Sequence, residues 1–297
     1  DGAYSVFAVD VDGDGDVDAV SASKNDNTVA WYANDGSQAF TKNTLSSSAT
    51  GAAAVFAIDG DGDGSVDVLA AAADIDDVEW YFQGPSGWAA HGMTQTADGA
   101  CSVFAIDVDG DGDIDALSAS ASDGMISWYQ NNGPLAFTKI DFARLTGAAS
   151  VYAIDVDGDA DVDVLASAWG DANAIVWYRN SPALQVFEVQ VIRGYDDEDP
   201  YSVFATDIDG DGDADVVAAL TNVDTVAWFD NDDGSFSYAE LMYGVDWVHS
   251  VYSSACCCRA CSRSTTRNSR IRRRSAASPS RRGCRRCRRS SWPRGTT

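Results

Sequence analysis

The segment AIDVDGDGDIDALSAS places Asp107, Asp109, Asp111, Asp113 and Asp115 at alternate positions, with Gly110 and Gly112 between them. Carboxylates this close repel one another, and a hard dication relieves the repulsion. Ca²⁺ takes about six to eight oxygen ligands at about 2.3–2.6 Å. A loop with carboxylates at positions 1, 3, 5 and 9 can wrap one ion. The backbone carbonyl of position 7 can complete the shell, and glycines at positions 4 and 6 permit the curl.

The pattern occurs five times. The first loop offers Asp10, Asp12, Asp14 and Asp18, with the carbonyl of Asp16. The second offers Asp59, Asp61, Asp63 and Asp67, with Ser65. The third offers Asp107, Asp109, Asp111 and Asp115, with Asp113. The fourth offers Asp155, Asp157, Asp159 and Asp163, with Asp161. The fifth offers Asp207, Asp209, Asp211 and Asp215, with Asp213. Serine at position 7 of the second loop is what a backbone ligand allows. Position 6 is Gly15, Gly64, Gly112 and Gly212, but Ala160 in the fourth loop. Alanine at positive φ costs on the order of 1 kcal/mol, so the fourth site is expected to be the weakest. The chain is expected to take up to five Ca²⁺ ions, one per loop, at about 10⁻⁴–10⁻³ M. Binding would then contribute to folding free energy.

Two rival readings fare worse. An EF-hand needs a bidentate Glu at position 12 between helices, whereas position 12 is Ser21, Ala70, Ser118, Ala166 and Ala218. A solvated acidic turn explains one loop, but not five in register that keep the ligand positions and vary position 7.

The loops are set in a repeat. Their first aspartates, Asp10, Asp59, Asp107, Asp155 and Asp207, recur every 48 to 52 residues. Phe7, Phe56, Phe104, Tyr152 and Phe204 stand three residues before each loop. The pairs Trp31-Tyr32, Trp80-Tyr81, Trp128-Tyr129, Trp177-Tyr178 and Trp228-Phe229 follow it. Within the third repeat, SVFAID, DALSAS, MISWYQ and AFTKIDF read as four short strands separated by turn residues. No segment keeps a helical period. Four antiparallel strands per repeat predict an all-β fold, a β-propeller of four-stranded blades. One blade cannot bury both faces of its sheet, so neighbours must stack. Five repeats are visible, an incomplete ring over residues 1–250.

Composition narrows the partners. The first 255 residues hold 6 basic against 46 acidic side chains, which disfavours nucleic acid and anionic membranes. No apolar run approaches the length of a membrane span. Cys101 is the one cysteine of the acidic body and closes no internal disulfide. The chain opens in mid-pattern at DGAYSVFAVD without an initiating Met, and reads as a piece of a longer protein with no signal sequence in view.

The motif D-x-D-x-D-G-x-x-D, as DVDGDGDVD, DGDGDGSVD, DVDGDGDID and DIDGDGDAD, with a departure at DVDGDADVD, resembles the FG-GAP/VCBS repeats found in integrin α-subunit propellers. The similarity spans about residues 1–250, although the Phe-Gly…Gly-Ala-Pro signature itself is replaced by SVFAID and its variants. The resemblance implies a propeller with calcium along one rim, in a secreted or cell-surface protein. It implies recognition or adhesion, with an extracellular protein or glycan as ligand. The alternative it leaves is an accessory propeller of a larger secreted hydrolase or lyase, and a third reading is a structural spacer with no ligand.

Other side chains carry less. One member of each Trp-Tyr pair is expected to pack between blades. Trp88, Trp169 and Trp247 lie outside the pattern and are better placed for exposed contacts. His91 is expected in a loop. No paired-carboxylate, Ser/His/Asp or Cys/His site stands out, so the chain is expected not to be an enzyme.

A sixth repeat begins at HSVYSSA and then gives way to an Arg/Cys-rich tail over residues 251–297, with 14 arginines from Arg259 onward. A basic arm, or a metal knuckle at Cys284 and Cys287, is one reading, but a single C-x-x-C is weak. Loss of the reading frame near Ala255 is the preferred one, because tandem CGN arginine codons shifted by a base encode residues typical of the acidic body. Either way the tail is expected to be disordered.

Overall fold

Short aliphatic residues on both faces mark a strand sandwiched between two sheets. DAVSAS, DVLAAA, DALSAS, DVLASA and DVVAAL are of this kind, and each is buried along nearly all its length. They are the second strands of five blades. The computed structural model describes residues 2–133, 136–181, 186–194, 198–245 and 248–251. Expectations placed on Trp247 and on residues 252–297 lie outside them.

The first blade is β1 (Ala3–Val9), β2 (Asp18–Ser23), β3 (Thr28–Asn34) and β4 (Phe40–Ser46). The second is β5 (Ala52–Ile58), β6 (Asp67–Ala72), β7 (Asp77–Gly84) and β8 (Gly87–Thr94). The third is β9 (Ala100–Ile106), β10 (Asp115–Ser120), β11 (Met125–Asn131) and β12 (Phe137–Arg144). The fourth is β13 (Ala148–Ile154), β14 (Asp163–Ala168), β15 (Ala174–Ser181) and β16 (Val186–Gly194). The fifth is β17 (Pro200–Thr206), β18 (Asp215–Leu220), β19 (Thr225–Asp232) and β20 (Ser235–Tyr243). Every sheet is an antiparallel meander in chain order, and among the described residues the one helical element is a 3₁₀ turn at Ala73–Ile75. The all-β propeller architecture read from the repeat is the observed one.

The innermost strands β1, β5, β9, β13 and β17 lie side by side. Their aromatics form a continuous row: Phe7, Phe56, Phe104, Tyr152 and Phe204 follow one another with ring centroids 4.8, 4.7, 4.7 and 4.9 Å apart. Tilted contacts at this spacing add to simple area burial. Apolar clusters straddle each blade boundary; that between the third and fourth blades joins Leu117 and Ile126 to Val151, Val164 and Tyr178.

A serine also ties neighbours together. Ser5, Ser102 and Ser150 Oγ accept the backbone N–H of Val55, Val151 and Val203 in the next inner strand, at 3.2, 3.1 and 3.4 Å. Ser202 accepts that of Val251 at 3.3 Å, and Thr221 donates to the Val248 carbonyl at 2.9 Å. The start of the sixth repeat therefore sits on the fifth blade just as each blade sits on its predecessor. The second blade has Ala54 in the serine's place.

Three aromatic pairs bury one member each, Trp31, Tyr129 and Phe229, as the alternation predicts, and two are buried more completely. Trp80 and Tyr81, and Trp177 and Tyr178, are buried as whole pairs, because blades pack against both faces of the third strand. Trp88 is corrected as well: it lies in β8 and packs against the core between the first two blades. His91 is not in a loop but in β8, opposite Trp80 and edge-on to Phe82 at 6.5 Å.

Candidate metal centres

Each acidic loop joins the first strand of its blade to the second. Its position-1 carboxylate curls the chain around itself. Asp10, Asp59, Asp107, Asp155 and Asp207 accept the backbone N–H of position 4 at 2.6–2.8 Å. In the first four loops the second oxygen accepts the N–H of position 6 at 2.9–3.0 Å. That residue has positive φ throughout, +96°, +92°, +97° and +110° for the glycines and +74° for Ala160. A Cβ at the glycines meets nothing within 4 Å, so the fourth loop keeps its form at the expense of backbone strain alone.

Position 9 opens the second strand and is buried. Asp18, Asp67, Asp115, Asp163 and Asp215 are at most 1% exposed. One oxygen accepts the N–H of position 2 at 2.9–3.2 Å. The other accepts the N–H of Asn34, Gln83, Asn131, Asn180 or Asn231 on the third strand, at 2.7–2.9 Å. Burial pushes the carboxyls of Asp67, Asp115 and Asp163 up to about 6 even against these donors. Desolvation, then the charge of neighbouring aspartates, holds Asp12, Asp157 and Asp209 at position 3 above the ordinary carboxylate value.

Positions 1, 3 and 9 converge. In all five loops their carboxylate oxygens lie within 4.8 Å of one another: Asp10, Asp12 and Asp18; Asp59, Asp61 and Asp67; Asp107, Asp109 and Asp115; Asp155, Asp157 and Asp163; Asp207, Asp209 and Asp215. The position-5 residues Asp14, Asp63, Asp111, Asp159 and Asp211 stand outside these triads. Each instead accepts the N–H of position 7, from Asp16, Ser65, Asp113, Asp161 and Asp213, at 2.8–3.0 Å.

The donor set is oxygen throughout, which suits Ca²⁺ and not a soft metal. The third triad has room for a further partner: Asp109 Oδ1 is buried with no hydrogen bond. The residues fit the ion that the motif implies.

Sequence reading missed the amide three residues after each tryptophan. Asn34, Asn131, Asn180 and Asn231 donate from Nδ2 to the position-8 carbonyl of their own loop at 3.0–3.1 Å. Asn180 and Asn231 also donate to Val108 and Val156 in the preceding loop, at 3.0 and 2.9 Å. Gln83, with its amide nitrogen turned toward Val66 and Val11, repeats the arrangement at 3.2 and 3.3 Å. The signal was the constant amide in WYAN, WYFQ, WYQN, WYRN and WFDN. A carboxylate pair was missed too. Asp77, Glu79 and Tyr81 share one face of β7 and line a cavity of about 130 Å³ with Ser46 and Ser48. Cys101, by contrast, is a poor nucleophile, since burial pushes its thiol up to about 12.

Among the described residues no helix is long and apolar enough to cross a membrane. No curated protein matches the chain in sequence. Solved structures share its architecture. The periplasmic gluconolactonase PpgL of Pseudomonas aeruginosa aligns at TM-score 0.56 and 16% identity, over 79% of this chain and 69% of that one. The SapL1 lectin, solved with alpha methyl fucoside, aligns at TM-score 0.55 and 13% identity, over 80% and 79%. The V. cholerae biofilm matrix protein Bap1 aligns at TM-score 0.50 and 17% identity, over 82% of this chain and 40% of that one. At such identities the likeness is one of fold. It corrects the expectation that the chain is not an enzyme: a lactonase and a lectin share this architecture, so the blades give no ground for excluding catalysis. The model of the FG-GAP-like repeat matches residues 10–70, 107–166 and 155–218, more than half of the sequence. The chain belongs to the FG-GAP-like repeat family.

Proposed function

We propose that the chain is an extracellular or cell-surface recognition module whose acidic loops hold Ca²⁺ and whose opposite end meets a protein or glycan ligand. The observation that carries this reading is the fivefold recurrence of one oxygen triad, at positions 1, 3 and 9, in a single backbone geometry. Positions 1, 3 and 9 would supply carboxylates, with position 5 and the position-7 carbonyl closing the shell. Bound Ca²⁺ supplies the charge that offsets the mutual repulsion of these carboxylates.

The ligand end is inferred from where the repeats stop being alike. The aspartates of the loops are constant at positions 1, 3, 5 and 9, but the residue before each interblade serine position is Tyr4, Ala53, Cys101, Ala149, Tyr201 and His249. Tyr4 and Tyr201 join hydroxyls at 3.0 Å across five blades. With Lys24, Asp74, Ser122 and Trp169 they line a cavity of about 250 Å³. Trp169 is 42% exposed and Tyr4 52%. Aromatic faces flanked by polar groups suit a sugar ring or a peptide side chain. The fold shared with a fucoside-binding lectin is compatible with the sugar.

Thermal unfolding in chelator, Mg²⁺ and Ca²⁺, followed by glycan-array binding in Ca²⁺, tests the reading. A melting temperature raised by Ca²⁺ and little by Mg²⁺, with glycan signal lost in Trp169→Ala, supports it. Indifference to Ca²⁺ would sink the cation sites, and array binding unaffected by Trp169→Ala would move the ligand elsewhere.

A further inference from the structure

The residue directly after each aromatic pair differs in every blade: Ala33, Phe82, Gln130, Arg179 and Asp230. In the third, fourth and fifth blades it acts on the loop's own aspartates. In the third blade Gln130 Nε2 donates to Asp109 Oδ2 at 2.6 Å. In the fourth, Arg179 Nε pairs with Asp157 Oδ2 at 2.6 Å and Nη2 with Asp159 Oδ2 at 3.2 Å. Among the described residues Arg179 is the one basic side chain paired with a loop aspartate, in a body with 6 basic residues in its first 255. Glu188 stands opposite Arg179 in the β15–β16 register, yet the guanidinium reaches the loop.

We propose that Arg179 is a built-in counter-ion that replaces the dication in the fourth loop, so that the chain binds four Ca²⁺ ions and not five. The inference rests on the cation reading above and concerns one loop within it. A guanidinium gripping two carboxylates supplies fixed positive charge that never dissociates. It also engages Asp157, a member of the triad, so an arriving Ca²⁺ would have to displace it and then face its charge. The same loop carries Ala160, where the other four have glycine. It keeps the loop hydrogen bonds nonetheless, with Ala160 N–H on Asp155 at 3.0 Å and Asp161 N–H on Asp159 at 2.9 Å. The fourth loop has thus kept its shape and acquired its own cation. The fifth stands at the other extreme, with Asp230 adding a carboxylate where Arg179 sits in the fourth.

Counting ions on the full chain by calcium titration calorimetry tests this. The wild-type chain should take up four ions. Arg179→Gln should take up five, and in chelator should melt lower than wild type, with the loss reversed by Ca²⁺. Gln130→Arg, which installs the guanidinium in the third loop, should take up three. Five ions in both wild type and Arg179→Gln would overturn the counter-ion while leaving the cation loops intact. No ion in any variant would overturn both readings together.

Discussion

Asp67 Oδ1 accepts the backbone N–H of Gln83 at 2.7 Å, across sixteen residues and from a different strand. Its other oxygen accepts the N–H of Gly60 at 2.9 Å within its own loop. The ninth residue of the loop is therefore a staple between loop and third strand before any ion is considered.

This separates two roles that the sequence presents as one. Asp67→Ala would leave two buried N–H groups without partners, at about 2–4 kcal/mol. Asp61→Asn, on the exposed side of the same triad, should change stability in chelator by no more than about 0.5 kcal/mol while removing one ion. Chemical denaturation with and without Ca²⁺ distinguishes them. Equal losses in chelator would show that position 9 is only a metal ligand.

Asp77 gives the fold an acid-favoured element. Burial first, and the charge of Glu79 second, push its carboxyl from 3.8 up to about 6. A carboxyl raised in the folded state binds a proton there before it does so unfolded. Its charge therefore costs nothing below about pH 4, and stability declines as pH rises to about 6. Asp77 is only half-buried, so screening reduces the cost to about 1 kcal/mol. Asp77→Asn should stabilise the chain by that amount at pH 7.5 and leave it unchanged at pH 3.5. A pH-independent effect in thermal melts would assign the change to packing instead.

The interblade serines make a reciprocal test. Ser102→Ala leaves the N–H of Val151 without its 3.1 Å partner and should cost about 1 kcal/mol. Ala54→Ser supplies the acceptor missing from the second blade and should add about 0.5–1 kcal/mol. Melting temperatures moving in the same direction for both would refute the repeat logic.

The row of rings offers the largest single effect. Phe104 lies 4.7 Å from both Phe56 and Tyr152. Phe104→Ala should cost about 3 kcal/mol or more, measured by urea denaturation, whereas Phe104→Leu should recover most of it.

Much of this was legible in the residues. Strand period, loop spacing and the aromatic three residues before each loop are local patterns, and β9 to β12 fall where SVFAID, DALSAS, MISWYQ and AFTKIDF lie. Convergence of Asp107, Asp109 and Asp115 followed from spacing alone. Position 5 did not join the triads, because Asp111 finds a nearer donor in the N–H of Asp113. The roles of Asn180 and Arg179 were hidden for a different reason. Both act across the sheet on a loop about twenty residues earlier, and only the strand register brings them there. His91 was misplaced because small residues in WAAHGM disguise a strand that is covered by neighbouring aromatics.

The seating of Val248 and Val251 on the fifth blade has a kinetic meaning. The inner strands β5, β9, β13 and β17 each meet their predecessor through a ring, and all but β9 through a serine as well. Apart from the Tyr4–Tyr201 contact, each blade's partner is therefore the one made just before it. Such a chain can fold in the order in which it is synthesised, each finished blade acting as the template that nucleates the next. Damage to one blade should then slow the appearance of those that follow it and spare those already made.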